Sequence, residues 1–171
     1  MRQYYDFSMR MARIMKKTNM AGTLYRLIYY SRNVIPDIAP DATVEETIAS
    51  ILSSARVANK ANNITGALMF TASGFAQALE GARDVVERTF ERICADPRHT
   101  DVTVLSFTPT ERRCFPDSPL GFAAQTSADI SDPLAALLGD LGSAGPRATT
   151  GSDVLRMLER VVRQEDAGVA A

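Results

Sequence analysis

The 171-residue sequence predicts an α+β fold whose elements follow the order β-α-β-β-α-β, with a fifth strand and C-terminal helices after them. Three observations lead to this prediction. Short alternating runs rich in aromatic and β-branched residues indicate strands. Segments between them repeat apolar residues every three to four positions, as amphipathic helices do. A short loop containing glycine between the second and third runs indicates a hairpin.

The predicted strands are short, and turn-forming residues separate them from the helices. They cover residues 23–31, 64–71, 75–80, 102–107 and 120–125. Thr43 and Glu46 have the spacing of a capping box and begin the first helix, which is expected to end near Asn59. The second helix carries its apolar stripe over residues 85–93. This order predicts the ferredoxin-like arrangement, with two helices packed on one face of a mixed sheet.

The chain divides into three predicted parts. These are an N-terminal basic helical extension over 1–22, a central domain over 23–126 and a C-terminal helical tail over 127–171. The basic amphipathic extension suits a membrane surface or a partner. Alternatively it docks on its own domain, or Met20 is the natural start. In the tail, residues 134–141 are expected to form a short helix, and Ser152 to cap a last one.

Composition and charge argue against several classes of protein. The net charge of −1 gives no field that attracts nucleic acid, and no apolar run approaches the ~18 residues that span a membrane. Cys94 and Cys114 lack a CxxC spacing and are expected to be reduced thiols of a cytoplasmic protein. His99 is the only histidine, so no metal site is expected. No nucleophile, phosphate-loop or paired-carboxylate motif is present, and the chain is therefore predicted not to be an enzyme.

Four short motifs occur in order along the central domain. They are Tyr29-Tyr30-Ser31, Asn59 followed by Ile64-Thr65-Gly66, the run from Gly74 to Gly81, and Asp96-Pro97-Arg98-His99. Through these motifs the sequence resembles, from about Leu24 to Phe122, the BLUF family of blue-light sensors that use FAD. The resemblance implies a blue-light photoreceptor that binds a flavin non-covalently and signals to an unidentified partner protein or through a change of oligomer. It also implies a homo-oligomer.

The same resemblance implies the photochemical roles of Tyr29 and Gln77. Tyr29 would give an electron and a proton to the photoexcited flavin, and Gln77 would lie between Tyr29 and the ring. The amide would then rotate or tautomerise and change its hydrogen bond to flavin O4, which gives a small red shift. The residues themselves agree, because an amide in an apolar strand needs hydrogen-bond partners. Taken without the resemblance, a Tyr–Gln pair that serves only the core is an equal alternative.

Further cofactor contacts follow from the resemblance. Asn59 would bind the carbonyl and imide edge of the ring, a role compatible with a helix C-terminal cap. Arg98 and His99 would lie near the flavin side chain and phosphates, which a guanidinium suits by charge and geometry. The predicted apolar walls are Ile51, Leu68, Phe75 and Ile93, and the predicted supporting charges are Arg56 and Lys60. FAD is the predicted cofactor, with FMN and riboflavin as alternatives, because the contacts concentrate on the ring.

The sequence departs from the family's pattern at four positions. Ala55 and Ala58 stand where polar residues are common. Ser118 and Leu120 stand at the positions of a tryptophan and a methionine that are thought to relay the signal to the sheet, and the chain has no tryptophan. Ser118 and Leu120 are therefore the predicted relay positions. These departures favour the alternative function, a flavin-free ferredoxin-like module that acts through protein contacts.

Overall fold

A computed structural model describes residues 23–38, 41, 43–125, 134 and 150–169. The elements in chain order are β1 (Leu24–Asn33), α1 (Ile35–Ile38), α2 (Val44–Ala61), β2 (Thr65–Thr71), β3 (Gly74–Ala82), α3 (Arg83–Cys94), β4 (His99–Thr110), β5 (Gly121–Gln125) and α4 (Gly151–Val169). The predicted order of strands and helices is confirmed. The predicted helix over 1–22 and all but Leu134 of the one over 134–141 lie outside the described residues.

The five strands form one mixed sheet in the spatial order β4-β1-β3-β2-β5. Neighbouring strands are antiparallel except β2 and β5, which run parallel. A sheet of this order with two connecting helices is the predicted ferredoxin-like arrangement, here extended by one strand at the β2 edge.

Alternation of side chains along the strands gives the sheet two different faces. On one face, α3 covers odd-numbered residues of β1 such as Leu27 and Tyr29, and α2 covers residues of β2 and β3 such as Leu68 and Phe75. On the other face, α4 covers even-numbered residues such as Ile28 and Tyr30. The contacts come from apolar positions of α2 (Ile48 and Leu52), α3 (Val86 and Phe90) and α4 (Val154 and Leu158). The two central helices therefore share one face, as predicted.

Capping residues determine where two of the helices begin. The Thr43 hydroxyl accepts from the Glu46 N–H at 3.2 Å and confirms the predicted N-cap. At α4 the predicted cap at Ser152 is wrong. The Thr150 hydroxyl accepts from the Asp153 N–H at 3.3 Å, and the Asp153 carboxylate accepts from the Thr150 N–H at 3.0 Å. Thr150 and Asp153 thus form a capping box two residues before the predicted cap at Ser152.

Element ends differ from the prediction where long-range pairing extends a strand. β1 continues to Asn33 and β4 begins at His99, because Arg32 pairs with Thr100 and Asn33 with His99. His99 is therefore a strand residue, whereas the sequence predicts a loop. Helix α2 likewise continues two residues beyond its predicted end at Asn59.

Candidate ligand-binding pocket

A cavity of about 360 Å³ opens on the sheet face that α2 and α3 cover. This volume lies within the roughly 300–1,000 Å³ of ordinary small-molecule sites. The residues that line it are Tyr29, Ile51, Ser54, Ala55, Ala58, Asn59, Leu68, Phe75, Gln77, Thr89, Arg92, Ile93, Asp96, Arg98, His99 and Leu120. The walls are mainly apolar, and a few polar groups converge between them.

Tyr29 and Gln77 form the buried polar centre of this cavity. They are direct cross-strand partners in the β1–β3 register, so their side chains leave the same face of the sheet. The Tyr29 hydroxyl donates to Gln77 Oε1 at 2.5 Å, and the Tyr29 ring packs against Phe90 at 5.1 Å between centroids. Because Oε1 is engaged by the phenol, the amide nitrogen is the Gln77 donor that a ligand can use.

Burial controls the protonation of Tyr29. The side chain is removed from water, and this desolvation, assisted by nearby Cys94 and Asp96, raises the pKa of the phenol far above its usual value. Tyr29 therefore keeps its proton throughout the physiological range and can act as the hydrogen-bond donor to Gln77.

Asn59 lies in the last turn of α2 and is buried. Its Nδ2 donates to the Pro119 carbonyl at 2.9 Å, and its backbone carbonyl accepts from the Ile64 N–H at 2.9 Å. The residue that caps the helix is Asn62, so the cap suggested for Asn59 is wrong. The bond to Pro119 fixes the plane of the Asn59 amide and leaves Oδ1 and the second N–H for a ligand.

Asp96, Arg98 and His99 close one end of the cavity. Arg98 donates two hydrogen bonds to the Asp96 carboxylate, from Nε and from Nη2. Burial acts to raise the pKa of Asp96, but the hydrogen bonds from Arg98 outweigh it and lower the pKa overall. His99 Nδ1 meets the Ser31 hydroxyl at 2.8 Å, and Nε2 meets the Ile93 carbonyl at 2.7 Å. Since a carbonyl only accepts, Nε2 donates, and His99 ties α3 to the sheet.

The structure brings nine of the eleven predicted cofactor-binding residues to the cavity. They are Tyr29, Ile51, Asn59, Leu68, Phe75, Gln77, Ile93, Arg98 and His99. Arg56 and Lys60 are exposed residues of α2 and are not among those that line it. Leu120, one of the two predicted relay positions, forms part of the wall. Ser118, the other predicted relay position, is not among the lining residues, but its backbone carbonyl accepts from the Gly66 N–H of β2 at 3.1 Å.

Sequence reasoning missed Thr89 and Arg92 of α3 and Asp96 just beyond the end of that helix. All three line the cavity together with the predicted Ile93. Thr89 lies three residues before Arg92 and four before Ile93, and this spacing is the signal that could have found the two helix residues, since residues so spaced share a helix face. Arg92 is also the cation that this face presents to the cavity.

The described ranges contain neither a candidate metal site nor a candidate membrane span. No cluster of three or more histidine, cysteine, aspartate or glutamate side chains suited to a metal occurs within them. Among the same residues, no helix is both long and apolar enough to cross a bilayer. Both cysteines are free thiols, as predicted.

The fold and pocket define a small α+β sensor-type domain with a ligand cavity between two helices and a buried Tyr–Gln pair. The chain belongs to the BLUF family, "Sensors of blue-light using FAD", whose family model matches residues 24–121. Membership confirms the predicted family, and the family's description confirms FAD as its cofactor. The domain is thus a blue-light sensor module that binds flavin.

Individual relatives of the chain are also light-regulated proteins. The chain is 36% identical over 94 residues to the photoactivated adenylate cyclase subunit beta of Euglena gracilis, which is 55% of this chain and 10% of that protein. It is 36% identical over 91 residues to the blue light- and temperature-regulated antirepressor BluF of Escherichia coli, or 52% of this chain and 21% of that protein. The chain thus spans only a tenth to a fifth of these two relatives.

Among solved structures, the dark-state structure of the BLUF protein BlrB matches with a TM-score of 0.61 and 29% identity. The match covers 84% of this chain and 97% of BlrB. The ground state of BlsA matches with a TM-score of 0.62 and 25% identity, over 81% of this chain and 87% of BlsA. The predicted α+β fold class is therefore confirmed by solved relatives.

Proposed function

We propose that the chain senses blue light through Tyr29 and Gln77 acting on a bound flavin. The observation that carries the proposal is the buried hydrogen bond of 2.5 Å between the Tyr29 hydroxyl and Gln77 Oε1 at the wall of the cavity. A structural pair does not need a cavity beside it. A flavin in this cavity supplies absorption of blue light and accepts an electron.

The chain's own groups carry the rest of the reaction. Tyr29 would give an electron to the flavin, and the oxidised phenol, now a strong acid, would pass its proton along the existing hydrogen bond to Gln77 Oε1 while the amide nitrogen passes one proton to the ring. Return of the electron and of one proton would restore Tyr29 and leave Gln77 tautomerised or rotated, so that it presents a different hydrogen-bonding group to the ring. The phenol is protonated beforehand because burial raises the pKa of Tyr29. A changed hydrogen bond at the ring produces the small red shift.

Asn59 and Arg92 are the proposed polar contacts that hold the flavin in position. Asn59 is oriented by its bond to the Pro119 carbonyl and offers an acceptor and a donor, which match an imide N–H beside a carbonyl. Arg98 is already engaged by Asp96, and Arg56 and Lys60 do not line the cavity. Arg92 therefore takes the role of cationic contact that the sequence assigned to those residues.

The Arg92 assignment predicts a loss of flavin affinity in Arg92→Gln. Loss of one charge-assisted hydrogen bond weakens binding by about tenfold or more. Titration of the apoprotein with FAD, followed by flavin fluorescence, measures the effect. The control is Arg88→Gln, which removes an exposed ion pair with Asp84 one turn earlier on the same helix and should leave affinity unchanged. Equal affinities in the two variants would reject Arg92 as a contact.

The proposed function itself is tested by a difference spectrum. Purified protein is expected to be yellow and to show a small, reversible red shift of its visible absorption under blue light. Colourless protein that takes up no added FAD would support the alternative, a flavin-free interaction module. A yellow protein without a reversible shift would contradict the photochemical role of Tyr29 and Gln77.

The sensor is proposed to have no catalytic activity of its own and to signal through other chains. We expect a homo-oligomer, because short members of the family self-associate. Light scattering of the full chain over a range of concentrations measures this. A monomer at every concentration would contradict it, and signalling would then depend on a separate downstream protein alone.

A further inference from the structure

Glu80 stands outside the pocket, yet it is the most completely buried charged group among the described residues, with 0% exposure. It lies three residues after Gln77 on β3, so its side chain leaves the opposite face of the sheet. We propose that Glu80 is a positioning residue that holds the β4–β5 loop, residues 111–120, and through it fixes two walls of the flavin pocket. This inference rests on the proposed function for its spectroscopic consequences only.

The Glu80 carboxylate anchors the first half of the loop. It accepts from the Cys114 N–H at 2.9 Å and from the Phe115 N–H at 3.2 Å. It is also paired with Arg26 Nε at 2.6 Å and accepts from the Thr65 hydroxyl at 3.3 Å. Two consecutive loop amides thus share one carboxylate as their acceptor. Removal of that carboxylate would leave both N–H donors without this partner.

Arg113, itself a residue of the loop, also holds this first half of the loop in place. Its Nη1 donates to the Thr65 hydroxyl and to the Glu80 carbonyl, both at 2.7 Å. Its Nη2 donates to the Asn63 carbonyl at 2.9 Å. The start of the loop is therefore bound by side chains to β2, to β3 and to the turn between α2 and β2.

The second half of the loop forms part of the pocket. The Ser118 carbonyl accepts from the Gly66 N–H, and the Pro119 carbonyl accepts from Asn59 Nδ2. The Leu120 carbonyl accepts from Arg56 Nε at 3.1 Å, and the Leu120 side chain lines the cavity. Pro119 lies only four residues after Phe115, so a shift of the anchored half must move the groups that orient Asn59.

The anchored half also touches α4 on the far face of the sheet. Phe115 belongs to the core cluster that includes Val154 and Leu158, and Cys114 packs against the same cluster. The Cys114 thiol interacts with Glu159 of α4. One short loop therefore contacts both the pocket and α4. This connection needs neither a tryptophan at position 118 nor a methionine at position 120.

The test compares Glu80→Gln with Glu87→Gln in the full-length, flavin-loaded chain. Glutamine keeps the size of the side chain but cannot accept from two amides and an arginine at once. We expect FAD binding about fivefold weaker, equal to about 1 kcal/mol. We also expect dark recovery of the red shift about fivefold faster. Glu87→Gln removes an ion pair within α3, Arg83 to Glu87 at 2.8 Å, and should change neither value.

Because removing one partner of a buried pair also lowers stability, Arg113→Met provides a second variant that keeps the Glu80–Arg26 pair. It should shift affinity and recovery in the same direction. If both loop variants melt at lower temperature yet keep wild-type affinity and recovery, Glu80 is only structural and the inference is overturned.

Hydrogen exchange separates this inference from the proposed function. The Gly66 N–H, bonded to Ser118, reports on the pocket half of the loop. In Glu80→Gln its exchange should rise relative to the Ile28 amide in the centre of the sheet, whether or not flavin is bound. Faster exchange at Cys114 and Phe115 with no change at Gly66 would overturn the link. Absence of a light response in the wild type would reject the proposed function instead.

Discussion

Replacement of Tyr29 by phenylalanine is expected to abolish the reversible red shift while flavin remains bound. Phenylalanine keeps the ring that packs against Phe90 and removes only the hydroxyl that donates to Gln77. Loss of this one hydrogen bond costs about 1 kcal/mol of stability, which a folded domain tolerates. The photochemical loss should be complete because the phenol supplies both the electron and the proton, and a phenyl ring without the hydroxyl supplies neither. Difference spectra before and after blue light measure the effect.

The matched control for Tyr29→Phe is Tyr30→Phe. Tyr30 is the next residue of β1 and is equally buried, but it faces α4 instead of the cavity. The same atom is removed from the same strand, and the red shift should persist. Gln77→Leu, by contrast, should lose the shift as Tyr29→Phe does. A normal shift in Tyr29→Phe would mean that another residue reduces the flavin.

Gly66→Ala is expected to prevent the domain from folding. A Cβ atom at Gly66 would lie 2.0 Å from the Ala78 carbonyl oxygen and 3.0 Å from its carbon, and both are backbone atoms of the neighbouring strand. The clash can be relieved only by separating β2 from β3. The cost should exceed about 4 kcal/mol, which is exceptional for one methyl group. Recovery of folded protein and the thermal midpoint measure it.

Gly121→Ala is the control for this second prediction. The new Cβ atom would meet Val162 side-chain carbons at 3.0 Å and Ser118 Oγ at 3.4 Å, and both neighbours can move. We expect a loss of about 1 kcal/mol or less. Equal stability of Gly66→Ala and the wild type would show that the β2–β3 spacing can widen.

The sequence could predict much of the site because four short motifs stand in order along the chain and carry the resemblance to the BLUF family. That resemblance assigned Tyr29, Gln77 and the apolar walls. Strand geometry agrees with the assignment, because Tyr29 and Gln77 pair directly in the β1–β3 register and their side chains meet on one face of the sheet. The phase of one strand against the other is not contained in the alternation of either strand alone.

The features that the sequence did not predict depend on groups distant along the chain. Arg98 is engaged by Asp96, and Asn59 by Pro119, and neither bond follows from periodicity. The ends of β1 and β4 were missed because each strand extends the other. The cap at Thr150 was missed because a serine two positions later is an equally good capping residue.

Because the cavity lies between α2 and α3 in the folded domain, binding of flavin there is linked to the stability of the fold. The helices meet the sheet through separate apolar clusters on either side of this space. Free flavin at a concentration of 100 times its dissociation constant adds about 2.7 kcal/mol to the free energy of unfolding, which is a large share of the stability of a domain of this size. When flavin is scarce, the chain therefore loses folded molecules as well as loaded ones.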